Sequence, residues 1–168
     1  MSPERLWLLS IALRRRGHCR LAKLVKKTNS FLYHNSLPVA ATVSPDIEFG
    51  HHGFGTVIHG NVVIGERVKI WHNVTIAVRS FSGSPHRVVI EDDVRIGANS
   101  VVVTPHEGSL HIGRGARIGA GAVVSHDVPP GATVVSVQPR VLMGESTPGQ
   151  AAEADGAPVG GQDGGHGG

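Results

Sequence analysis

The chain has little of what usually stabilises or fills a small protein core. One cysteine, Cys19, is present in 168 residues, so neither an internal disulfide nor a cysteine-based zinc site can form. Aromatic residues make up only 4%, too few for a core of large interlocking rings. No apolar run is long enough to span a bilayer, and arginines follow rather than precede the short run from Leu6 to Leu13. These absences favour a cytoplasmic location without a signal peptide.

Acidic residues are also scarce at the start of the chain. Residues 1–36 hold the single acid Glu4 against eight arginines and lysines, mixed with leucines at helical spacing. This pattern predicts a basic amphipathic helical segment that breaks at Gly17. We expect its apolar face to pack on the following domain, with a membrane surface or a partner protein as the alternative. Nucleic acid is not an expected partner, because the segment lacks interleaved base-stacking aromatics.

The middle of the chain carries a strict six-residue repeat. Eight of the ten isoleucines share one phase, and the residue two positions earlier is small or apolar. The phase runs through Ile58, Ile64, Ile70, Ile76, Ile90, Ile96, Val102, Ile112, Ile118 and Val124. A period of six fits neither an α-helix nor a coiled coil, but three units form one triangular coil of parallel strands. We predict a left-handed parallel β-helix of about four coils over residues 37–143, followed by a disordered Gly-rich tail over residues 144–168.

Three interruptions of the repeat are candidate functional loops. They cover residues 49–55, 79–87 and about 104–109. The first contains His51 and His52, and the second contains His86. Histidine titrates near neutral pH, so each is either a general base or a residue that only fills a turn.

At these residues the sequence resembles a known family. FGHHGFGTVIHGNVVIGERVKIWHNVTI is similar to the active-site segment of serine O-acetyltransferases, and IEDDVRIGANSVVV, IGRGARIGAGAVVSHDVPPGATVV and SVQPR are similar to their closing coils. The resemblance covers residues 38–142. It implies transfer of an acetyl group from acetyl-CoA to a small-molecule hydroxyl, by a homotrimer that uses a His general base and no metal.

The resemblance also implies roles for particular residues. The family's catalytic His falls on His51 when counted from Phe49 and on His52 when counted back from Ile58, and we prefer His51. The second family His corresponds to His86, beside the substrate-side residue Arg87, with the order of His and basic residue reversed here. For acetyl-CoA, the resemblance implies backbone N–H groups around Gly97 and Ala98 and the side chain of Arg140.

Two departures from the family bear on the acceptor. Serine acetyltransferases place an Asp before the catalytic His, where it contacts the substrate amino group, but Gly50 occupies that place here. Their N-terminal helical domain supplies another acid, whereas Glu4 is the only acid of residues 1–36. Asp46 and Glu48 are the replacements nearby. We therefore expect L-serine as the acceptor, in cysteine biosynthesis, with a sugar or polysaccharide hydroxyl as the alternative.

Two other classes of function fit a hexapeptide repeat. The γ-class carbonic anhydrases share the predicted fold and bind zinc through three His, and His106 and His111 have a suggestive spacing of five. However, His106 lies in an insertion, and the strand motifs of that family are absent. The other class is a scaffold without catalysis.

Overall fold

Two helices precede the repeats, as the basic segment predicts. The structure, a computed structural model, describes residues 2–80 and 83–137. Helix α1 spans Pro3–Arg15 and α2 spans Cys19–Tyr33, and Gly17 lies between them at φ +84°. Neither helix, nor any other helix in the described ranges, is long and apolar enough to cross a membrane. Arg140 and the predicted tail lie outside the described residues, so the domain boundaries stay predictions.

In the described part of the chain, thirteen short strands follow α2, and each has two or three residues. They are β1 Thr42–Val43, β2 Glu48–Phe49, β3 Val57–Ile58, β4 Val62–Ile64, β5 Lys69–Ile70, β6 Thr75–Ala77, β7 Val88–Ile90, β8 Arg95–Ile96, β9 Val101–Val103, β10 Leu110–Ile112, β11 Arg117–Ile118, β12 Val123–Val124 and β13 Thr133–Val134. A one-turn 3₁₀ helix, Gly50–Gly53, separates β2 from β3.

The strands form three parallel sheets, which are the three faces of a solenoid. Face 1 contains β1, β4, β7 and β10; face 2 contains β2, β5, β8, β11 and β13; face 3 contains β3, β6, β9 and β12. Ile70 pairs with Ile96, and Ile76 with Val102, so the six-residue phase is the stacking register. The architecture confirms the predicted left-handed β-helix of about four coils.

The interior holds the two residue columns that the repeat predicts. Every member of the Ile/Val phase is at most 3% exposed, and every residue two positions earlier is at most 1% exposed. Two polar members of the second column make internal hydrogen bonds: the Ser100 hydroxyl donates to the Gly97 carbonyl at 2.6 Å, and the Thr56 hydroxyl donates to the Trp71 carbonyl at 3.3 Å. The core is therefore a thin aliphatic column that needs almost no aromatic residues.

Glycines at the corners allow consecutive coils to approach closely. A Cβ at Gly97 would lie 2.6 Å from the Ala120 amide nitrogen, and one at Gly113 would lie 2.5 Å from the Pro130 nitrogen. Both distances are shorter than van der Waals contact, so only glycine fits at these two corners. The left-handed backbone comes two residues later, where Asn99 has φ 58°.

Helix α1 packs on the first coil. Trp7 is 1% exposed and stacks on Phe49 of β2 at a centroid distance of 5.9 Å, and its indole N–H donates to the Pro38 carbonyl at 2.7 Å. Glu4, the single acid of the segment, accepts the Phe49 backbone N–H at 2.9 Å. These contacts confirm that the apolar face of α1 packs on the β-helix, but the expectation is wrong for α2, whose Leu21 and Leu24 are exposed.

Truncation of a core isoleucine should be far more costly than truncation of an exterior valine. We expect Ile96→Ala, at a fully buried site, to lower the free energy of unfolding by about 2–5 kcal/mol, because it leaves a cavity in the column. Val123→Ala, at a site that is 66% exposed, should cost less than about 0.5 kcal/mol. Urea unfolding followed by circular dichroism measures both. Equal effects at the two positions would contradict the thin-column core.

Candidate active site

The turn between β2 and β3 holds two histidines in left-handed backbone. His51 has φ 51° and His52 has φ 58°, and both are exposed. Single left-handed residues such as Arg67, Asp93 and Asn99 occur at other corners of this solenoid, but here two non-glycine residues in succession adopt the conformation. Just before the two histidines, a Cβ at Gly50 would lie 2.8 Å from Trp71 Cδ1. A side chain at Gly50, such as the Asp of the family, would therefore require the Trp71 ring on the next coil to move.

His51 contacts a third histidine that the sequence analysis did not single out. The rings of His51 and His72 meet edge to face, with centroids 5.0 Å apart. Nδ1 of His72 is buried and makes no hydrogen bond to the described residues. A buried ring nitrogen without a partner is unusual and suggests a role in the site. The sequence could have indicated His72 only through its position, because residue 72 lies at the same corner as the His turn, one coil further along.

His52 lies on the side of the turn that faces the helices. Its ring is 5.8 Å from that of Tyr33, at the end of α2, and Tyr33 also contacts Phe54 at 6.1 Å. The two histidines of the turn thus have different neighbours. His51 adjoins Trp71 and His72 on the solenoid, and His52 adjoins the helical segment.

An apolar groove begins beside this turn and follows the corner between faces 2 and 3. It has a volume of about 350 Å³. Its lining residues are Trp71, Arg95, Gly97, Ala98, Arg117, Ile118, Gly119, Ala120 and Thr133. Gly97 and Ala98, predicted to contact acetyl-CoA, both lie in this groove. Trp71 connects the groove to Gly50 and the His turn.

One backbone N–H group that was expected to bind acetyl-CoA, that of Gly97, is already hydrogen-bonded within the protein. The Gly97 N–H donates to the Ile118 carbonyl at 2.8 Å, so it is used in coil stacking and is not available to a ligand. The Ala98 and Ala120 N–H groups, one residue after the corner glycines, make no hydrogen bond to the described residues. The expected donor at Gly97 was wrong because every coil's edge amides bond to the next coil.

Basic side chains line the groove along its face 2 side. Arg95 pairs in register with Lys69 on one side and with Arg117 on the other, which places three cations in a row on the outer surface. Lys69 lies over the Trp71 ring at 5.2 Å. The sequence analysis missed Arg95 and Arg117. The sequence does contain a sign of them, because a basic residue comes directly before the core isoleucine in three successive coils.

His86 lies at a different corner of the same chain. It is in the insertion between β6 on face 3 and β7 on face 1, whereas the His turn joins face 2 to face 3. Its Nδ1 is 2.9 Å from the Ser80 hydroxyl, and Asn61 donates to the carbonyls of Ser84 and His86. These contacts hold Ser84 and His86 in place, but the structure does not bring His86 and His51 together within one chain.

Arg87 and His59 belong to the same corner as His86. Arg87 donates through Nε to the Pro85 carbonyl at 3.3 Å and lines a cleft of about 240 Å³ with Asn61 and Ser84. His59, not singled out by the sequence analysis, accepts the Asn61 backbone N–H on Nδ1 at 3.1 Å. His59, His86 and Arg87 therefore lie at one corner, which the insertion with His106 and the turn with His126 also share.

The two candidate acids, Asp46 and Glu48, are both bound elsewhere. Asp46 lies at the other end of β2 from His51, and the Ser44 hydroxyl donates to it at 2.6 Å, which holds the pKa of Asp46 below its ordinary value. Glu48 Oε1 is 2.6 Å from Lys69 Nζ. No described acid forms a hydrogen bond or ion pair with His51, His52 or His72.

The spacing of His106 and His111 does not produce a histidine cluster. His111 lies in β10 with Nε2 3.2 Å from Glu91 Oε1, and His106 lies in the insertion between β9 and β10. Within residues 2–80 and 83–137, no group of three side chains suited to a metal ion is found.

Comparison with known proteins gives a consistent family. Residues 87–126 match the family described as hexapeptide repeat of succinyl-transferase. The chain is 33% identical over 132 residues to the serine acetyltransferase of Bacillus subtilis, covering 79% of this chain and 58% of that protein. It is 39% identical over 100 residues to that of Mycobacterium tuberculosis, covering 60% and 42%. The chain thus spans about half the length of these relatives.

Solved structures agree with the sequence matches. Neisseria gonorrhoeae serine acetyltransferase in complex with serine matches with a TM-score of 0.69 and 31% identity, covering 80% of this chain and 53% of that one. The Brucella abortus enzyme in complex with coenzyme A matches with a TM-score of 0.70 and 26% identity, covering 81% and 52%. The chain therefore contains a hexapeptide-repeat domain that is similar in sequence and in fold to part of the serine acetyltransferases.

Proposed function

We propose that the chain is an acetyl-CoA-dependent O-acetyltransferase of the cytoplasm, with L-serine as acceptor. One observation carries the proposal: the His turn adjoins, through Trp71, an apolar groove lined by Gly97 and Ala98. A general base beside a slot for a thin, mostly apolar arm is what acetyl transfer from a thioester needs. Relatives named serine acetyltransferase, with structures holding serine or coenzyme A, support the same reaction.

His51 is the base in this proposal. Its imidazole takes the proton of the acceptor hydroxyl while the oxygen attacks the thioester carbonyl. The carbon–sulfur bond then breaks, and the protonated imidazole returns the proton to the coenzyme A thiolate. We prefer His51 to His52 because His51 lies against His72 beside the groove, whereas His52 lies against Tyr33. His72, in contact with the His51 ring, is a positioning residue.

The groove matches the chemistry of coenzyme A along its length. The free N–H groups of Ala98 and Ala120 suit the amides of the pantetheine arm, and its methylenes suit the apolar floor. Arg95 and Arg117 on the groove edge are placed for phosphate groups. Arg140 is proposed to bind a phosphate group of coenzyme A, as the family resemblance implies.

A complete site requires a second copy of the chain. His51 and His86 lie at different corners of one solenoid, but a cyclic trimer can place the His86 loop of one copy against the His51 groove of the next. We therefore propose a homotrimer with three sites between subunits. His86 positions the acceptor hydroxyl or stabilises the developing oxyanion, and Arg87 lies beside it.

A specific observation favours a second acceptor class. The ammonium group of serine needs a carboxylate partner when buried. However, the side chains in ring contact with His51 and His52 are His72 and Tyr33, Glu4 is bound to the Phe49 backbone N–H, and Glu48 is already paired with Lys69. A neutral sugar hydroxyl has no such requirement, and aromatic side chains suit its apolar ring faces. The second candidate is therefore a sugar or polysaccharide O-acetyltransferase.

Loss of the proposed base should reduce turnover and leave the fold intact. We expect His51→Ala and His86→Ala each to lower kcat by about 100-fold to 10,000-fold, the usual contribution of general acid–base catalysis. His52→Ala is the matched control from the same turn and should change kcat by less than about 10-fold. Thiol release from acetyl-CoA gives the rates, and circular dichroism checks the fold. If His52→Ala alone abolishes turnover, His52 is the base.

The acceptor can be decided by substitution of the two acids. In a serine enzyme, Glu48→Gln should raise the KM for serine by about 10-fold, because Glu48 lies on the His51 end of β2 and is the nearer carboxylate for the ammonium group. Asp46→Asn, at the opposite corner, should change little. A sugar enzyme should be indifferent to both substitutions. Faster acetylation of N-acetylglucosamine or galactose than of serine by the wild-type protein would overturn the serine proposal.

A further inference from the structure

Helix α2 carries an exposed apolar stripe that the β-helix does not use. Leu21, Leu24, Phe31 and Leu32 are 48%, 60%, 81% and 51% exposed. With Thr28 between them they recur at intervals of three and four residues, so they share one side of the helix. We call these five residues the α2 stripe. The opposite side already packs inward, since Ala22 and Asn29 are buried and Asn29 Nδ2 donates to the Pro3 carbonyl at 3.0 Å.

Basic side chains border the stripe, and acids are missing. Arg20, Lys23 and Lys27 follow along one edge, and no acidic residue occurs between Glu4 and Asp46. None of these three cations forms an ion pair with the described residues. Behind them, Lys23, Lys26 and Lys27 line a cleft of about 280 Å³ with Ser30 and Ser36. The Ser30 hydroxyl already donates to the Asn35 carbonyl, so the unpaired lysines and the Ser36 hydroxyl are the groups that suit a phosphate at an interface.

We propose that the α2 stripe binds the surface of an anionic lipid bilayer. Exposed leucine and phenylalanine on one side of a helix, with lysine and arginine beside them, is the arrangement of helices that lie in the headgroup plane. Charge complementarity selects this occupant. Self-association through the stripe would bring like-charged rims together, whereas anionic headgroups neutralise them. The inference does not depend on the proposed reaction.

Vesicle binding by the full chain tests the proposal. The protein should sediment with vesicles of phosphatidylcholine containing about 30% phosphatidylglycerol, and not with phosphatidylcholine alone. Raising NaCl from about 0.05 M to about 0.5 M should release it, because the cations act within a Debye length. Lys23→Gln with Lys27→Gln should weaken binding about 20-fold, and Leu24→Ser with Phe31→Ser should abolish it.

Matched control variants distinguish binding through the α2 stripe from nonspecific binding to vesicles. Arg114→Gln removes an exposed cation at another corner, and Val123→Ser removes an exposed apolar residue of face 3; both should bind as the wild type does. In F31W, after subtraction of the wild-type spectrum, tryptophan emission should shift to the blue with the anionic vesicles only. Absence of wild-type binding, binding that ignores both double variants, or no shift in F31W would overturn the proposal.

A protein partner is the competing outcome. If Leu24→Ser with Phe31→Ser changes the oligomeric state in light scattering, the stripe is a subunit contact and the lipid proposal fails. Acetyl transfer to a free acceptor in solution should be unchanged in these variants. A loss of vesicle binding with intact turnover therefore supports lipid docking whatever the acceptor proves to be.

Discussion

The interior of the β-helix admits only a narrow column of small and aliphatic side chains, and the other features of the chain follow from this constraint. Each coil contributes buried residues from three faces, and each strand's edge amides bond to the coils beside it. Six residues are needed to form one face and one corner. A bulky residue in the column has no room, which explains why this chain folds with so few aromatics. The two large rings near the first coil, Trp7 and Phe49, cap the column and do not interrupt it.

The same constraint explains why the candidate catalytic segments lie at the corners of the solenoid. Strands inside the stack have no spare backbone groups and their inner side chains are buried, so extra residues can be accommodated only where the chain turns. Both His-bearing segments obey this rule: the His51 turn joins face 2 to face 3, and the His86 loop joins face 3 to face 1. A solenoid separates its corners by the width of a face, so residues at two corners can meet only between neighbouring copies.

The fold was predictable from the sequence to a large extent, because buried side chains must repeat with the coil. The phase of Ile58 to Val124 identified both core columns and their register. The site was less predictable. His72, Arg95 and Arg117 occupy outward or corner positions, where the fold imposes no residue type, so the periodicity of the core does not predict them. A basic residue before the isoleucine of three coils was the one periodic sign of the two arginines. The bond from Gly97 to Ile118 depends on stacking between coils, and the fit of Gly50 against Trp71 depends on contact across coils. Neither is visible in a one-dimensional pattern.

The central claim is that a site forms between copies from the His51 turn of one and the His86 loop of the next. Co-refolding equal amounts of the His51→Ala and His86→Ala variants, each inactive alone, tests it most directly. In a cyclic trimer, random mixing leaves both histidines intact at about one quarter of the sites, so about one quarter of wild-type thiol release should return. An affinity tag on the His51→Ala chain alone confirms that mixed trimers have formed, because it then retains untagged His86→Ala chains as well. Mixed trimers without recovered activity would contradict the account, because they would show that His51 and His86 act within a single chain or not together at all.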